Sequence, residues 1–315
     1  MTNRHWIAAG LPDGAHEALA EGLPPSRLWS LLLEIAEARA ARRRVSDLVE
    51  QWDRDRFVQL SIVDQRSLVE IDRHLLAAAS AFDAIELSPV APLGVCSLMG
   101  RASQNKVVSA LRGTEVVADP TNVMALECAR RLRDDAVAIV RLATSHRCVR
   151  AQEFPKKDGF TAAFRIFCLA SSGLERPDHA LAVDAVVEHV QTMLDAFDRL
   201  EQVGYTFPNR RVTILTTDAR AALADRIAAR ITVVPVVRAA LDHGYYSGGL
   251  RFQINAGSRD GSEFPLADGG AFDWVAKLLS NRKAVFVASG LGSQLVALMY
   301  RRQLLSRETS DGRLP

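Results

Sequence analysis

The chain has 315 residues, of which 48% are hydrophobic and 24% are charged, a composition typical of a soluble globular protein with one large domain or two small ones. Thirty-nine basic residues against 37 acidic ones leave a net charge of +2, so no strong field favours nucleic acid or an anionic membrane. The N-terminus lacks a signal-peptide core and no apolar run reaches about 18 residues, which predicts a cytoplasmic protein without a membrane partner.

The four cysteines lie at least twenty residues apart and form no C-x-x-C pair. They are Cys96, Cys128, Cys148 and Cys168. Each sits among apolar residues, so the pattern predicts buried core thiols in a reducing compartment and no metal site.

The first 60 residues read as an N-terminal helical extension. Apolar residues recur at helical spacing over 26–52, and the arginine triplet at 42–44 is typical of a solvated helix end. A second helix is predicted over 64–82, with a capping aspartate at its start. It leads into a short strand, 84–89, that a proline ends.

A strand pair is predicted over 107–117, with Gly113 as its bend. Asp119, Thr121 and Asn122 then stand where the next helix needs an N-terminal cap. Because one cap is enough, the other polar side chains remain available for a ligand.

Two strands joined by a polar loop are predicted over 139–171. The first arm ends near Arg150 and the second carries Phe164. Two interpretations remain open at this point. The arginine could grip a phosphate while the aromatic ring stacks on a base, or the hairpin could be an ordinary antiparallel pair of a large sheet.

A long amphipathic helix is predicted over 178–203, with His179 and His189 on its surface. A buried strand at 212–216, an alanine-rich helix at 218–230 and a further apolar run follow. None of these elements carries a residue pattern that indicates catalysis or ligand binding.

The composition of the sequence changes after Arg238. Nine of the 19 glycines fall between Gly244 and Gly292, interleaved with tyrosine, arginine and aspartate. Such a stretch lets backbone approach a ligand closely, and hairpin turns are the alternative explanation. The chain then shows a strand at 285–288, a turn at 289–292 and a further helix.

Hairpins and long helices together predict an α+β domain with a mostly antiparallel sheet. The sequence contains no P-loop, no G-x-S-x-G and no H-E-x-x-H pattern, which leaves the ordered set of weaker motifs to indicate function.

Taken in order, these stretches resemble the catalytic domain of class II aminoacyl-tRNA synthetases. Residues 64–89 look like that family's first, dimer-forming motif. Asp119 and Thr121 match an acidic-x-Thr element that holds the substrate's amino group. Arg150 and Phe164 match the second motif, whose arginine grips the α-phosphate and whose aromatic stacks on adenine.

The branch most similar to this chain is the histidyl-tRNA synthetase type, with its paralogue, the regulatory subunit of ATP phosphoribosyltransferase. Residues 245–248, Tyr-Tyr-Ser-Gly, look like the amino-acid pocket of that branch, and 257–261 resemble the glycine-rich element that follows it. Residues 285–300 look like the third motif. The resemblance covers about 60–305 and implies a six- to seven-stranded antiparallel sheet flanked by helices, in a homodimer.

Several positions depart from the family's pattern. The second motif of the family has Arg-x-Glu, whereas Gln152 follows Arg150 here and Glu153 comes one place late. The third motif needs an arginine for the γ-phosphate, and 290–295 contain none. Arg301 and Arg302 come about two helical turns later.

The resemblance implies ATP and Mg²⁺ as cofactors and assigns residues to two groups. Arg150, as the catalytic residue, with Gln152, Glu153 and Phe164 would contact ATP. The residues that would contact a small amino or carboxylic acid are Asp119, Thr121, Arg238, Tyr245, Tyr246 and Arg259. Arg238 and Arg259 are candidates for the branch's specificity arginine.

Three functions follow from these expectations. The first is an ATP-dependent ligase that forms an acyl-adenylate for a non-standard acceptor, such as a carrier protein, an amine or a tRNA. The second is a non-catalytic, ligand-sensing or regulatory paralogue that accompanies a transferase. The third, an RNA-binding protein, is disfavoured by the near-neutral charge. The predicted domains are 1–60, a catalytic-type domain at 61–305 and a polar tail at 306–315, with no anticodon-binding domain.

Overall fold

A computed structural model describes residues 10–101, 103–153, 160–241 and 243–300. One large sheet organises this part of the chain, with strand order β1-β5-β6-β11-β10-β9-β7-β8, and a small sheet has the order β2-β4-β3. The strands are β1 (Asp83–Ala84), β2 (Val90–Pro92), β3 (Ser109–Ala110), β4 (Thr114–Val116), β5 (Val140–Val149), β6 (Ala163–Leu174), β7 (Arg211–Thr216), β8 (Val236–Ala240), β9 (Leu250–Gly257), β10 (Glu263–Phe272) and β11 (Ala284–Leu291).

Helices flank the large sheet and precede it. They are α1 (Ala15–Glu17), α2 (Pro25–Ala40), α3 (Val45–Arg54), α4 (Gln65–Ala78), α5 (Val95–Met99), α6 (Pro120–Asp134), α7 (Ala180–Glu201), α8 (Ala221–Ala228), α9 (Trp274–Leu278) and α10 (Ser293–Leu295). Two π-helical turns, Ala18–Gly22 and Val296–Tyr300, follow α1 and α10. Within the described ranges, every helix is too short or too polar to span a bilayer.

The large sheet corrects the expected strand count and orientation. It has eight strands rather than six or seven, and it is mixed, because β1 pairs in parallel with β5 and β8 pairs in parallel with β7. The β7–α8–β8 unit is a crossover, which brings consecutive strands into parallel alignment at the sheet edge. The central strands β6, β11, β10, β9 and β7 are antiparallel, as the α+β prediction requires.

The hairpin at 139–171 is present as β5 and β6, which lie next to the edge strand β1. Strands β5 and β6 pair in antiparallel register from Val140 opposite Ser172 to Val149 opposite Ala163. The strand pair and its bend are also present, since Gly113 has a φ of 70° between β3 and β4. A turn was expected at 289–292, but residues 289–291 are the last part of β11 instead.

Each face of the large sheet packs against its own helices, because side chains alternate along a strand. One face, which carries Val287 and Leu291 of β11, packs against α4 and α7. The other face, which carries Phe286 and Ala288, packs against α6 and α9. The four cysteines are buried free thiols, as their apolar neighbourhoods predicted; Cys128 and Cys168 lie in the second of these cores, and Cys96 and Cys148 lie in a smaller apolar cluster beside the small sheet.

His189 corrects the expectation of a surface histidine, while His179 is exposed as predicted. The His189 ring is fully buried on α7 and joins two serines, with Nε2 3.0 Å from Ser171 Oγ and Nδ1 2.9 Å from Ser289 Oγ. Burial and, secondarily, the charge of Arg141 lower the pKa of His189 to about 3. The imidazole is therefore neutral, and its two hydrogen bonds satisfy it inside the core.

A buried carboxylate holds the small sheet together. Glu115 on β4 is 0% exposed and accepts hydrogen bonds from the backbone N–H groups of Gly94 (2.8 Å) and Cys96 (3.0 Å) and from Gln104 Nε2 (2.8 Å). Burial opposes its ionisation, but these donors outweigh burial and lower the pKa of Glu115. The small sheet thereby fixes the segment around α5, which forms one wall of the site.

Helices α2 and α3 of the N-terminal extension contain no buried residue. Helix α2 reaches the small sheet, where a Cβ at Gly113 would lie 3.3 Å from Trp29 Nε1. The following segment contacts the chain just after β5, where Arg56 donates to the carbonyl oxygens of Ala151 and Gln152 (2.9 Å to Gln152). The domain division at residue 60 stays a prediction.

Candidate functional site

Asp119 stands at the start of α6 and has two distinct carboxylate oxygens. Its Oδ1 accepts hydrogen bonds from Thr121 N (3.0 Å) and Thr121 Oγ1 (2.7 Å), which caps the helix. Its Oδ2 accepts a longer hydrogen bond from the Tyr245 hydroxyl at 3.3 Å. One oxygen is therefore used by the fold, while the other faces the site with capacity for a further donor.

Arg150 leaves the end of β5 beside this carboxylate. Its Nε donates to the carbonyl oxygen of Ala118 at 2.8 Å, and Nη2 lies 3.7 Å from Asp119 Oδ2. Its guanidinium carbon is 5.0 Å from the centre of the Phe164 ring, within cation–π distance. The backbone contact and the ring fix the orientation of the guanidinium, and 29% of the side chain remains exposed.

The adjacent tyrosines of the 243–249 loop reach two different carboxylates. Tyr245 contacts Asp119, and Tyr246 donates to Asp268 Oδ1 at 2.6 Å. Burial, followed by the neighbouring carboxylate, raises the pKa of both hydroxyls far above the usual range. Both tyrosines are therefore protonated donors at neutral pH. Asp268 is in turn neutralised by Arg251, whose Nε lies 3.0 Å from Oδ1.

Two cavities meet at Asp119, Arg150 and Tyr245, which line both. The inner cavity, of about 290 Å³, lies against the sheet and is also lined by Thr121, Ile166, Tyr246, Asp268, Gly269, Phe272, Ala288, Ser289 and Gly290. The entrance cavity, of about 480 Å³, is also lined by Cys96, Gly100, Arg101, Lys106, Val107, Ala118, Asn122, Gln152, His243 and Gly244. The two together have the volume of a small-molecule site.

A pair of glycines on β10 makes room for the tyrosine loop. A Cβ at Gly270 would lie 2.3 Å from the carbonyl oxygen of Leu250 and 2.6 Å from Tyr246 Cδ1. A Cβ at Gly269 would lie 2.4 Å from Ser289 Cβ. Any side chain here would displace the loop or the neighbouring strand, so the close approach depends on glycine.

The structure brings most of the predicted site residues together. Asp119, Thr121, Arg150, Tyr245 and Tyr246 surround the two cavities.

The remaining residues of the predicted nucleotide group lie around the end of the β5–β6 hairpin. Gln152 lines the entrance cavity, and Phe164 lies beside Arg150. Glu153 is exposed at the end of the described part of the hairpin loop, and 154–159 lie outside it.

Two residues of the predicted substrate group, Arg238 and Arg259, lie away from the two cavities. Arg238 lies on the edge strand β8, where its Nε is 2.9 Å from Asp225 Oδ1. Arg259 lies in the β9–β10 turn and donates to the carbonyl oxygen of Leu298. Neither lines a site cavity. The glycine-rich element at 257–261 is likewise a hairpin turn, and the glycine pair at the site is Gly269 with Gly270.

The end of β11 also differs from the family's nucleotide-binding pattern. Gln294 is buried, and it accepts from Ser61 Oγ at 3.3 Å and donates from Nε2 to Thr161 Oγ1 at 3.3 Å. No lysine or arginine occurs in the sequence from 284 to 300. Arg301 and Arg302, the expected alternatives, lie outside the described residues. The segment that carries Arg56 and Ser61 thus bridges the second-motif and third-motif elements.

Sequence reasoning missed four residues at or beside the site, namely Arg101, Lys106, Arg251 and Asp268. For Asp268, the signal was its position before two consecutive glycines. The others carry no local pattern, because they come from separate elements that meet only in the fold. In the described ranges, no group of three His, Cys, Asp or Glu residues could hold a metal ion.

No protein-family model and no curated protein sequence matches this chain. Solved structures do match. An ATP phosphoribosyltransferase regulatory subunit/histidyl-tRNA synthetase from Bacillus halodurans is similar over 77% of this chain and 81% of its own, at 14% identity and a TM-score of 0.57. The apo histidyl-tRNA synthetase of S. aureus is similar over 76% of this chain and 68% of its own, at 12% identity and a TM-score of 0.57.

A histidine–tRNA ligase subunit from Alicyclobacillus acidocaldarius is similar over 76% of this chain and 95% of its own, at 13% identity and a TM-score of 0.56. At such low identity, the likeness concerns the fold and leaves the activity open. The chain therefore has the class II synthetase-like fold shared by histidyl-tRNA synthetases and the regulatory subunit of ATP phosphoribosyltransferase.

Proposed function

We propose that this chain binds a small α-amino acid where the two cavities meet and works as a ligand-sensing, non-catalytic class II synthetase-like protein. The observation that carries the proposal is the placement of Arg150 Nη2 3.7 Å from Asp119 Oδ2 at the junction of the cavities. A carboxylate beside a guanidinium complements the ammonium and carboxylate groups of an amino acid.

The neighbouring hydroxyls support a defined orientation. Thr121 and Tyr245 both contact Asp119, so its carboxylate is held in one rotamer before a ligand arrives. Such preorganisation lowers the entropy cost of binding.

The nucleotide side supports a non-catalytic role. ATP carries a triphosphate that needs cations or Mg²⁺ on its β- and γ-phosphates. At the end of β11 the described chain offers the neutral Gln294, which already bonds Ser61 and Thr161. The described residues therefore fit a single anionic group at Arg150, such as the α-carboxylate proposed here, better than a complete Mg²⁺–triphosphate.

A ligase that forms an acyl-adenylate is the second candidate. It is favoured by the stacking of Arg150 on Phe164, the two residues that the resemblance assigns to the α-phosphate and to adenine. Arg150 would then stabilise the charge that develops at phosphorus. Amino-acid-dependent exchange of pyrophosphate into ATP, measured over a panel of acids, tests this candidate. Any exchange above background would contradict the non-catalytic proposal.

The principal experiment is calorimetric titration of the full chain with each of the common L-amino acids and with O-phospho-L-serine. At least one compound should bind, and Arg150→Gln should weaken its binding roughly tenfold or more through loss of a charged hydrogen bond, about 1.4 kcal/mol or more. Arg141→Gln is the matched control, since Arg141 lies on the same strand and pairs with Glu188 away from the cavities. If no compound binds, amino-acid sensing is wrong.

The assembly is also a proposal. By the family resemblance, the chain would form a homodimer and, as a sensing subunit, would accompany a transferase. A carrier protein or a tRNA would be the partner of the ligase candidate. Light scattering should give about twice the 34.5 kDa of one chain. A mass of one chain at micromolar concentration would contradict the homodimer.

A further inference from the structure

The outer wall of the entrance cavity carries more positive charge than an α-amino acid needs. Arg101 and Lys106 line this cavity together with Arg150, against the single carboxylate of Asp119. If the ligand's ammonium group takes Asp119 and its α-carboxylate takes Arg150, two cations remain. Their charges point to a further anionic group on the ligand.

Lys106 is the more available of these two cations. Among the described residues, no carboxylate lies within ion-pair distance of its ammonium group. Its backbone is fixed, because its carbonyl oxygen accepts a hydrogen bond from Ala151 N at 2.8 Å. The residue is thus anchored beside Arg150 while its side-chain charge is left for a ligand.

Arg101 reaches the same cavity from an unusual backbone conformation. Its φ is 52°, in the left-handed region that non-glycine residues rarely adopt. It follows the buried Gly100 at the end of α5, and its side chain lines the entrance cavity together with Lys106.

A buried amide in the same cavity points independently to a ligand. Asn122 is 2% exposed and lines the entrance cavity. Its Nδ2 donates to Cys96 Sγ at 3.4 Å, while Oδ1 has no hydrogen-bond partner among the described residues. A buried polar atom without a partner is costly unless a ligand or water completes it. As an acceptor near Asp119, Oδ1 suits the ammonium end of the ligand.

We propose that the ligand is an amino acid whose side chain carries a second anionic group, a carboxylate or a phosphate, bound in the entrance cavity by Lys106 with Arg101. This inference rests on the proposed function, because it assumes that Asp119 and Arg150 hold the α-amino and α-carboxylate groups. It adds the charge of the side chain, which those two residues do not determine.

The test compares pairs of ligands that differ in side-chain charge, of which the two carboxylate–amide pairs have nearly the same shape and the third adds a phosphate group. L-Glutamate is titrated beside L-glutamine, L-aspartate beside L-asparagine, and O-phospho-L-serine beside L-serine. The anionic member of at least one pair should bind ten times more tightly than its neutral partner or better. The pair that shows the preference distinguishes a carboxylate site from a phosphate site.

Two variants connect the preference to the cavity. Lys106→Gln should reduce the preference for the anionic member at least fivefold and leave the affinity for the neutral member within twofold. Lys283→Gln removes the same charge from an exposed lysine at the start of β11 and should change neither affinity. A preference that survives unchanged in Lys106→Gln would overturn the assignment of that group to Lys106.

The outcomes separate this inference from the function on which it rests. If neutral amino acids bind as tightly as anionic ones, the second anionic group is wrong and amino-acid binding stands. If no amino acid of either charge binds, the proposed function fails and the inference fails with it.

Discussion

The hydroxyl of Tyr245 donates to Asp119 Oδ2 across 3.3 Å and thereby joins two segments that are 126 residues apart. Asp119 begins helix α6, and Tyr245 lies in the loop before β9. The contact closes one side of both cavities. Under the proposed function, the carboxylate that caps this helix also binds the ligand, and a single substitution can separate the two roles.

Asp119→Asn should keep the fold and lose the ligand. Asparagine caps helices about as well as aspartate, so the free energy of unfolding should change by less than about 0.5 kcal/mol. The lost negative charge should weaken amino-acid binding roughly 10- to 100-fold in calorimetric titration. Asp134→Asn, at the exposed far end of α6, is the control and should bind normally. Normal binding by Asp119→Asn would mean that this carboxylate does not hold the ammonium group.

Gly270→Ala should damage the site through backbone crowding. The added methyl group would lie 2.3 Å from the carbonyl oxygen of Leu250 and 2.6 Å from Tyr246 Cδ1, so the strand or the tyrosine must move. We expect a loss of about 1–3 kcal/mol in the free energy of unfolding and weaker ligand binding.

Gly22→Ala is the control for this substitution, since its Cβ position lies no nearer than 3.9 Å to other atoms and Gly22 lines neither cavity. Urea denaturation and titration of both variants provide the comparison. Equal stability of the two would contradict the close packing at Gly270.

His189→Gln should remove part of the protein's acid sensitivity. The pKa of His189 is about 3 in the fold, against the usual 6.5, so the unfolded chain takes up its proton first as the pH falls. The contribution of His189 to stability is complete above about pH 6.5 and is lost progressively toward pH 3, by about 1.4 kcal/mol per pH unit at most. Glutamine can still bond both serines but does not titrate.

Urea denaturation between pH 7 and pH 4 measures this effect. His189→Gln should be less stable than the wild type at pH 7 by roughly 1–2 kcal/mol, and the gap should narrow as the pH falls. His179→Gln, at an exposed histidine, should follow the wild-type curve. Parallel curves for His189→Gln and the wild type would show that the buried ring does not set the slope.

Arg56→Ala should release the segment 55–63, which contacts the residues after β5 through Arg56 and the residues after β11 through Ser61. Arg56 is exposed, so the free energy of unfolding should change by less than about 1 kcal/mol. Its contacts with the carbonyl oxygens of Ala151 and Gln152 are nevertheless those that hold the segment to β5. Hydrogen exchange of the amides at 55–63 should therefore become several times faster. Arg54→Ala, whose partner Glu50 lies on the same helix, should leave exchange at 57–63 unchanged.

Much of the fold was predictable because its signals are local. The cap at Asp64, the bend at Gly113, the hairpin at 139–171 and the long helix α7 all depend on periodicity or on single turn residues. The order of the strands in the sheet was not predictable from local signals. The two parallel edge strands depend on crossovers whose partners lie 59 and 24 residues along the chain, at Asp83 with Leu142 and at Val212 with Val236.

His189 shows the same limit in a single residue. Its place on an amphipathic helix says which neighbours share its face, but its burial depends on two serines contributed by β6 and β11. From the sequence alone, a polar residue on a helix is predicted to be exposed, because the hydrogen-bond partners that allow its burial lie on other elements. Arg238 and Arg259 were candidates only through the family resemblance, and the fold pairs them with Asp225 and with the carbonyl oxygen of Leu298, away from the cavities.

The sequence by itself determined the elements and the residue types of the site: a capping aspartate, an arginine ahead of an aromatic strand, and paired tyrosines among glycines. Only the tertiary structure decided which of these meet. Asp119, Arg150 and Tyr245 come from three elements, and the charges of Lys106 and Arg101 matter only because α5 and the small sheet bring them to the same cavity. Distances between such residues are set by packing across the sheet, which a linear sequence does not record.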